Sequence, residues 1–194
     1  RTLTNKKPKG LVELFGKSIL ERQIDLFLDS GITDISIVTG YNNEMIKFNQ
    51  INYFHNPNFK TTNMIETLFC AEEKLKESTI ISYGDIIFEK TVLQKLIDSK
   101  HEISIIVDLA WKEYWETRFE NPLDDAESLI LDDGFITNIG QKPLTLEQIQ
   151  GQYIGLMKFQ NDGVEYLKEF YNHSKNIAKT GTNPLNFKIP FEQS

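Results

Sequence analysis

The chain has 194 residues, 40% of them hydrophobic and 25% charged, with a formal net charge of −7, which allows one sizeable core and argues against a general binder of phosphate backbones. No apolar run approaches the roughly 18 residues of a membrane span, and no charged stretch followed by an apolar one marks a signal peptide. Cys70 is the sole cysteine, so an internal disulfide and a cysteine zinc cluster are excluded, and a single domain in a reducing, cytoplasmic setting is expected.

The first nine residues, RTLTNKKPK, read as a polar loop holding a local basic patch of Arg1, Lys6, Lys7 and Lys9. Ser18 caps a helix running to about Ser30, whose apolar face carries Ile19, Leu20, Ile24, Leu26, Phe27 and Leu28, and Gly31 ends it. A strand over Ile32–Thr39 follows, closed by Gly40-Tyr41. A short helix near Asn43–Phe48 leads to a brief strand around Ile51–Phe54 and a polar loop from His55. Asn63 starts the next helix with Glu66 in the capping-box relation, and Ile65, Leu68, Phe69 and Leu75 pack inward.

The segment TIISYGDIIFE, residues 79–89, carries a short apolar strand ending at Gly84, with Asp85 just past its carboxyl end. A helix over Lys90–Ser99 and a second apolar strand over Ile103–Val107 follow. This α, β, α, β alternation predicts an α/β, Rossmann-like, mostly parallel sheet flanked by helices and joined by right-handed crossovers. Beyond Asp108 the pattern changes. Trp111, Tyr114 and Trp115 cluster beside Arg118, and NPLDD at 121–125 breaks the chain. Ser128–Leu131 and Phe135–Ile139 flank Asp132-Asp133-Gly134 as a hairpin, the core of a small β-hairpin subdomain. A strand over Gln152–Phe159 and an amphipathic helix over Val164–His173 complete the pattern, while Thr180–Ser194 shows no clear periodicity.

Several of these residues could carry chemistry, each beside a plainer reading. Ligands of open α/β sheets bind outside the carboxyl ends of the strands, where Asp85 can face a substrate or its metal ion, and Gly84 permits a close backbone approach; a Gly-Asp pair also closes ordinary turns. Lys9 after Pro8 can neutralise a phosphate or be solvated. Thr62, Asn63 and Met64 open a helix and suit a polar heterocycle or an anion, or serve as an N-cap alone. Trp111 and Trp115 can box a cationic or planar acceptor, or form one buried helix face at i, i+4 spacing. Asp124 and Asp125 can hold an ammonium or sit in a solvated turn. His55, His101 and His173 have no ligand-like spacing, and neither a Gly-x-Ser-x-Gly elbow nor a Walker loop occurs.

Taken together, Leu3-Thr4, Pro8-Lys9, LFGKSIL at 14–20, Gly31-Ile32, VTGY at 38–41, Asn63-Met64 and Gly84-Asp85 stand in the order and spacing of the nucleotidyltransferase (NTP transferase) family, which the chain resembles along nearly its whole length. It looks most like the cytidylyltransferase branch with the choline-phosphate enzymes. The segment 118–127 and QYIGL at 152–156 are similar to bacterial members acting on phosphorylated amino acids such as glutamine phosphate in capsule decoration. The resemblance implies CMP transfer from CTP to a small phosphorylated acceptor, with Lys9 and Asp85 as the catalytic residues, Lys9 on the phosphates and Asp85 as the Mg²⁺ ligand. It places Thr62, Asn63, Met64 and Gly84 with the nucleotide, and Asp108, Trp111, Trp115, Arg118, Asp124, Asp125 and Gln152 with the acceptor.

The family's glycine-rich loop would precede Arg1 and its second acidic metal-binding cluster would follow Ser194, so a fragment without full activity is the expectation. A sugar-1-phosphate nucleotidyltransferase and a non-catalytic module that retains the fold stay open as alternatives. Neither nucleic acid nor membrane is expected as a partner, and a homodimer stays open.

Overall fold

The structure, a computed structural model, describes residues 7–179; the expectations resting on Arg1, Leu3, Thr4, Lys6 and residues 180–194 lie outside them. After a 3-10 turn at Lys9–Leu11, β1 (Glu13–Leu14) and β2 (Lys17–Ser18) form a small antiparallel hairpin. Its turn takes positive φ at Phe15 (49°) and Gly16 (80°), the mirror-image geometry that matches strand twist. Helix α1 (Ile19–Asp29) starts where expected because Ser18 Oγ accepts the Glu21 N–H at 3.2 Å. Gly31 closes the helix with φ 82°, and the N–H groups of Gly31 and Ile32 return to the carbonyls of Leu28 and Phe27. That cap engages the backbone of Ile32, and strand β3 accordingly covers only Ser36–Thr39, four residues later than the apolar pattern suggested.

Strand β4 (Asn52–His55) pairs in parallel with β3, Ser36 opposite Asn52 and Thr39 opposite His55. The helix expected over 43–48 contracts to a 3-10 turn at Asn43–Met45, because a segment this short cannot offset the cost of nucleating an α-helix. Helix α2 (Met64–Phe69) begins at Asn63, whose Oδ1 accepts the N–H groups of Ile65 at 3.1 Å and Glu66 at 3.2 Å. It stops short of Leu75 and resumes as a 3-10 turn at Glu72–Lys74, yet Leu75 still reaches the core.

The remaining elements are β5 (Ser78–Ser82), α3 (Lys90–Asp98), β6 (Ile103–Asp108), α4 (Trp111–Arg118), the hairpin strands β7 (Leu129–Asp132) and β8 (Phe135–Ile139), β9 (Gln152–Gln160) and α5 (Asp162–Lys179). The β7–β8 turn has positive φ at Asp133 (47°) and Gly134 (82°), as its Asp-Gly signature requires. Strands β5 and β6 run in the same direction, consistent with the α/β alternation, but they do not pair with each other. Strand β9 lies between them and is antiparallel to both. This three-stranded sheet is therefore antiparallel at both pairings rather than parallel, while β3 and β4 pair in parallel as a separate sheet: alternation along the chain fixes the direction of successive strands, not which later strand enters between them.

One face of this sheet is covered by α2 and α5. Phe69, Leu75, Phe159, Val164, Leu167 and Tyr171 form the buried cluster, with Ile81, Ile103 and Met157 packed against it, and the rings of Phe69 and Tyr171 stack at 3.6 Å. Helix α3 lies against β6 and β9. There the buried Lys158 donates to the carbonyls of Ile97 at 3.0 Å and Ser99 at 2.6 Å, satisfying acceptors at the end of α3 that have no partner within the helix. A second, smaller cluster joins Trp111, Ala126 and Ile149, with Trp115 and Leu123 packed on it.

Candidate active site

Because β9 is antiparallel to its neighbours, its first residues lie at the same sheet edge as the last residues of β5 and β6. Ser82 is opposite Leu156, Val107 opposite Tyr153 and Asp108 opposite Gln152. The topology thus gathers Gly84-Asp85, Asp108 and Gln152 at one edge. A cavity of about 430 Å³ opens beside it, lined by Lys7, Lys9, Gly10, Thr39, Tyr41, Gly84 and Asp85 among others.

Lys9 Nζ stands 3.4 Å from Asp85 Oδ2, with the side chains 72% and 40% exposed, so both charges remain accessible to a ligand. Their proximity depends on two glycines. A Cβ on Gly10 would lie 2.6 Å from the Gly84 carbonyl oxygen and 2.7 Å from Leu20 Cγ, which explains why the turn after Lys9 can press against the loop that carries Asp85. From the other side, Gln23 of α1 donates its amide to the carbonyls of Tyr83 at 2.9 Å and Ile86 at 2.7 Å. The Ser82 hydroxyl donates to Gln23 Oε1 at 3.0 Å.

The residues expected to meet the nucleotide base sit on a loop braced by Asn56. Its buried amide donates to Thr62 Oγ1 and Thr67 Oγ1, both at 2.9 Å, while its oxygen accepts the Asn58 N–H at 2.9 Å. Thr62 Oγ1 in turn donates to Asn58 O at 2.9 Å. The Asn63 oxygen is engaged as the N-cap of α2, and Met64 is exposed. This loop packs against the strand end through Phe59, whose Cβ would be 2.7 Å from a Cβ on Gly40 and whose ring lies 6.5 Å from that of Tyr41.

The residues expected at the acceptor divide into two groups. Trp111 is buried in the second cluster, so the helix-face reading of the Trp111/Trp115 spacing describes its packing, and the tryptophan rings meet edge to face at 6.1 Å. Gln152 is also buried. Its amide donates to Glu127 O at 2.6 Å and Gly151 O at 2.9 Å, and its oxygen accepts the Glu127 N–H at 3.3 Å; it fastens the 118–127 segment to β9. Asp108 Oδ1 accepts the Ala110 N–H at 2.8 Å. The Arg118 guanidinium lies over Tyr114 at 5.3 Å, Trp115 at 5.6 Å and Phe119 at 5.1 Å, and Asp124 and Asp125 are exposed in a turn capped by Asn121.

Between the two regions, the rings of Tyr83 and Tyr153 meet edge to face at 5.7 Å. Burial pushes the Tyr83 phenol up, with Glu127 and Asp85 adding to the effect, and burial together with Tyr83 pushes Tyr153 up further. Both phenols are therefore neutral hydrogen-bonding groups at physiological pH. Gly155, φ 90°, makes room for them, since a Cβ there would meet the Tyr83 ring at 2.5 Å. Sequence reasoning did not single out Gly10, Gln23 or Asn56. Gln23 left one signal, as a polar residue on the stripe that α1 buries with Leu20 and Ile24.

Residues 4–126 match the MobA-like NTP transferase domain. Over 181 residues the chain is 38% identical to the CTP:phosphoglutamine cytidylyltransferase of Campylobacter jejuni subsp. jejuni serotype O:2, an alignment covering 87% of this chain and 71% of that protein. It is 28% identical over 105 residues to the choline-phosphate cytidylyltransferase of Streptococcus pneumoniae, covering 52% of this chain and 46% of that one. The solved CTP:phosphocholine cytidylyltransferase from Streptococcus pneumoniae superposes with a TM-score of 0.61 over 96% of this chain and 76% of its own. At 15% identity that is a likeness of fold.

Proposed function

The chain belongs to the MobA-like NTP transferase family, and from that premise we propose that it transfers CMP from CTP to a small phosphorylated acceptor, releasing pyrophosphate. Glutamine phosphate is the first choice of acceptor, with phosphocholine and phosphonates behind it. The observation that carries this reading is the likeness, along most of the chain, to CTP:phosphoglutamine cytidylyltransferase. The accessible ammonium and carboxylate of Lys9 and Asp85 at the mouth of a cavity supply the charge chemistry that the reaction needs.

An oxygen of the acceptor phosphate attacks the α-phosphorus of CTP in line, forming the new phosphoanhydride as the bond from that phosphorus to the pyrophosphate oxygen breaks. The nucleophile is already an anion, so no general base is required, and the chain contributes positioning and charge neutralisation. Lys9 sets its ammonium against the phosphates. Thr62, Asn63 and Met64 border the base, and the backbone at Gly84 lets the nucleotide approach closely. Arg118, Trp115, Asp108, Asp124 and Asp125 face the acceptor, with Trp111 packed behind them and Gln152 fixing the segment that carries them.

Mg²⁺ suits this donor set. Among the described residues no group of three or more His, Cys, Asp or Glu could hold a metal by itself, and Mg²⁺ typically takes one or two carboxylates together with substrate phosphates and water. Asp85 is the residue that would hold it, and when bound the ion would supply Lewis-acid neutralisation at the α-phosphate. The reaction belongs in the cytoplasm, where CTP is made, and its product would serve as an activated donor for decorating cell-surface polysaccharide.

A panel of the four NTPs against glutamine phosphate, phosphocholine, aminoethylphosphonate and glucose-1-phosphate, read by pyrophosphate release, tests the proposal. Turnover is expected with CTP and an amino-acid or amino-alcohol phosphate. Turnover confined to glucose-1-phosphate with another nucleotide would reassign the protein to NDP-sugar synthesis, and tight CTP binding without turnover in any pair would make it a non-catalytic module.

A further inference from the structure

We infer that Gln23 is a positioning residue for Asp85, an inference that rests on the role proposed for Asp85 above. Gln23 is 6% exposed and does not touch the carboxylate. Its amide nitrogen instead holds the carbonyls of Tyr83, at 2.9 Å, and Ile86, at 2.7 Å, the backbone groups that flank Gly84-Asp85 on either side. Ser82 is the last residue of β5 in register with β9 and the Tyr83 N–H still reaches the Gly155 carbonyl of β9 at 2.8 Å, so the hold on the Ile86 carbonyl comes from Gln23 beyond the end of the strand ladder. One planar amide with two hydrogens in fixed geometry sets the separation of the two carbonyls, and with it the curvature of the loop between them.

The Ser82 hydroxyl, donating to Gln23 Oε1 at 3.0 Å, fixes which end of the amide faces the loop. Gly10 and Leu20 close on the Gly84 backbone from the cavity side. The loop is thereby held from both sides, leaving the Asp85 side chain as its accessible part. No other residue type substitutes cleanly: glutamate would face two carbonyl acceptors with a carboxylate, methionine would fill the volume and donate nothing, and asparagine would fall one methylene short. A tether that served stability alone could join α1 to β5 anywhere along the strand, whereas this one grips the two carbonyls that bracket the ligand-facing carboxylate.

The test uses the full-length protein carrying Gln23→Met, alone and combined with Asp85→Asn, with Gln23→Glu carrying the same measurements where Gln23→Met fails to accumulate. Calorimetry with CTP and Mg²⁺ is expected to show about tenfold weaker binding for Gln23→Met when Asp85 is intact, the usual cost of losing an outer-shell partner, and less than about a twofold change in the Asp85→Asn background. Amide hydrogen exchange over 83–86 should accelerate while that of α1 stays unchanged. The same loss of affinity in both backgrounds, or unaltered exchange over 83–86, would overturn the inference. If Asp85→Asn alone binds Mg²⁺ and CTP as the wild type does, the reading of Asp85 falls and the role of Gln23 with it, an outcome that the single Asp85 variant distinguishes from failure of the tether.

Discussion

Lys9 and Asp85 face each other at 3.4 Å with both side chains substantially in water, where an ion pair contributes only about 0–1 kcal/mol to stability. The packing of Gly10 on the Gly84 backbone brings them together instead, and under the proposed function the pair would meet the charge of a phosphate. Asp85→Ala should lower kcat/KM on the order of a thousandfold with the thermal midpoint little changed; wild-type pyrophosphate release from that variant would remove Asp85 from the chemistry. Lys9→Ala should weaken CTP binding about tenfold, the effect of losing one charge-assisted contact, as calorimetry would read it. Both residues were named in the sequence beside a conformational marker, Pro8 in one case and Gly84 in the other, but their roles came from the family resemblance. Gln23 was not: nothing local distinguishes a glutamine that fastens a loop sixty residues away from one that faces solvent.

At the scale of the element, β9 carries a lysine where its pleat faces α3. Lys158 is 3% exposed and reaches the carbonyls at the end of α3, and burial holds its ammonium below the usual 10.5, with Lys100 pushing in the same direction. The unfolded chain then keeps this proton more readily than the folded one, so stability attributable to Lys158 rises as pH climbs from the depressed value towards 10.5. Lys158→Met should cost about 1–3 kcal/mol at neutral pH, chiefly through the Ile97 carbonyl, since the Ser99 carbonyl also accepts from Gln160 Nε2 at 3.2 Å. Urea midpoints measured from neutral pH to pH 10.5 should show the gap to wild type widening with pH; a constant gap would mean that the lysine titrates as if exposed. Helix starts at Ser18 and Asn63 and the Asp-Gly hairpin were readable because capping and turn chemistry are local. The late start of β3 was hidden, since the cap at Gly31 competes with the strand for the backbone of Ile32.

For the whole molecule, the decisive feature is the insertion of β9 between β5 and β6. It joins the loop at Asp85 to the 118–127 segment through Tyr83–Tyr153 and Gln152–Glu127. With both edges paired, the β9 amides should be the slowest in hydrogen exchange, well behind those of β4, which pairs on one edge among the described residues; equal protection in the two strands would contradict this. The sequence by itself determined the α/β class, most of the longer helices and strands, and the family, because periodicity, caps, turns and spaced motifs act within a few residues, whereas the β1–β2 hairpin was not expected. It also named Lys9 and Asp85, each by itself, and the structure brought them to 3.4 Å. Only the tertiary structure decided that β9 pairs antiparallel between β5 and β6, that Trp111 and Gln152 are buried supports, and that Gln23 and Gly10 shape the loop around Asp85. Those outcomes depend on which distant backbone groups find donors and how closely two chains can approach, quantities that packing settles and local pattern does not encode.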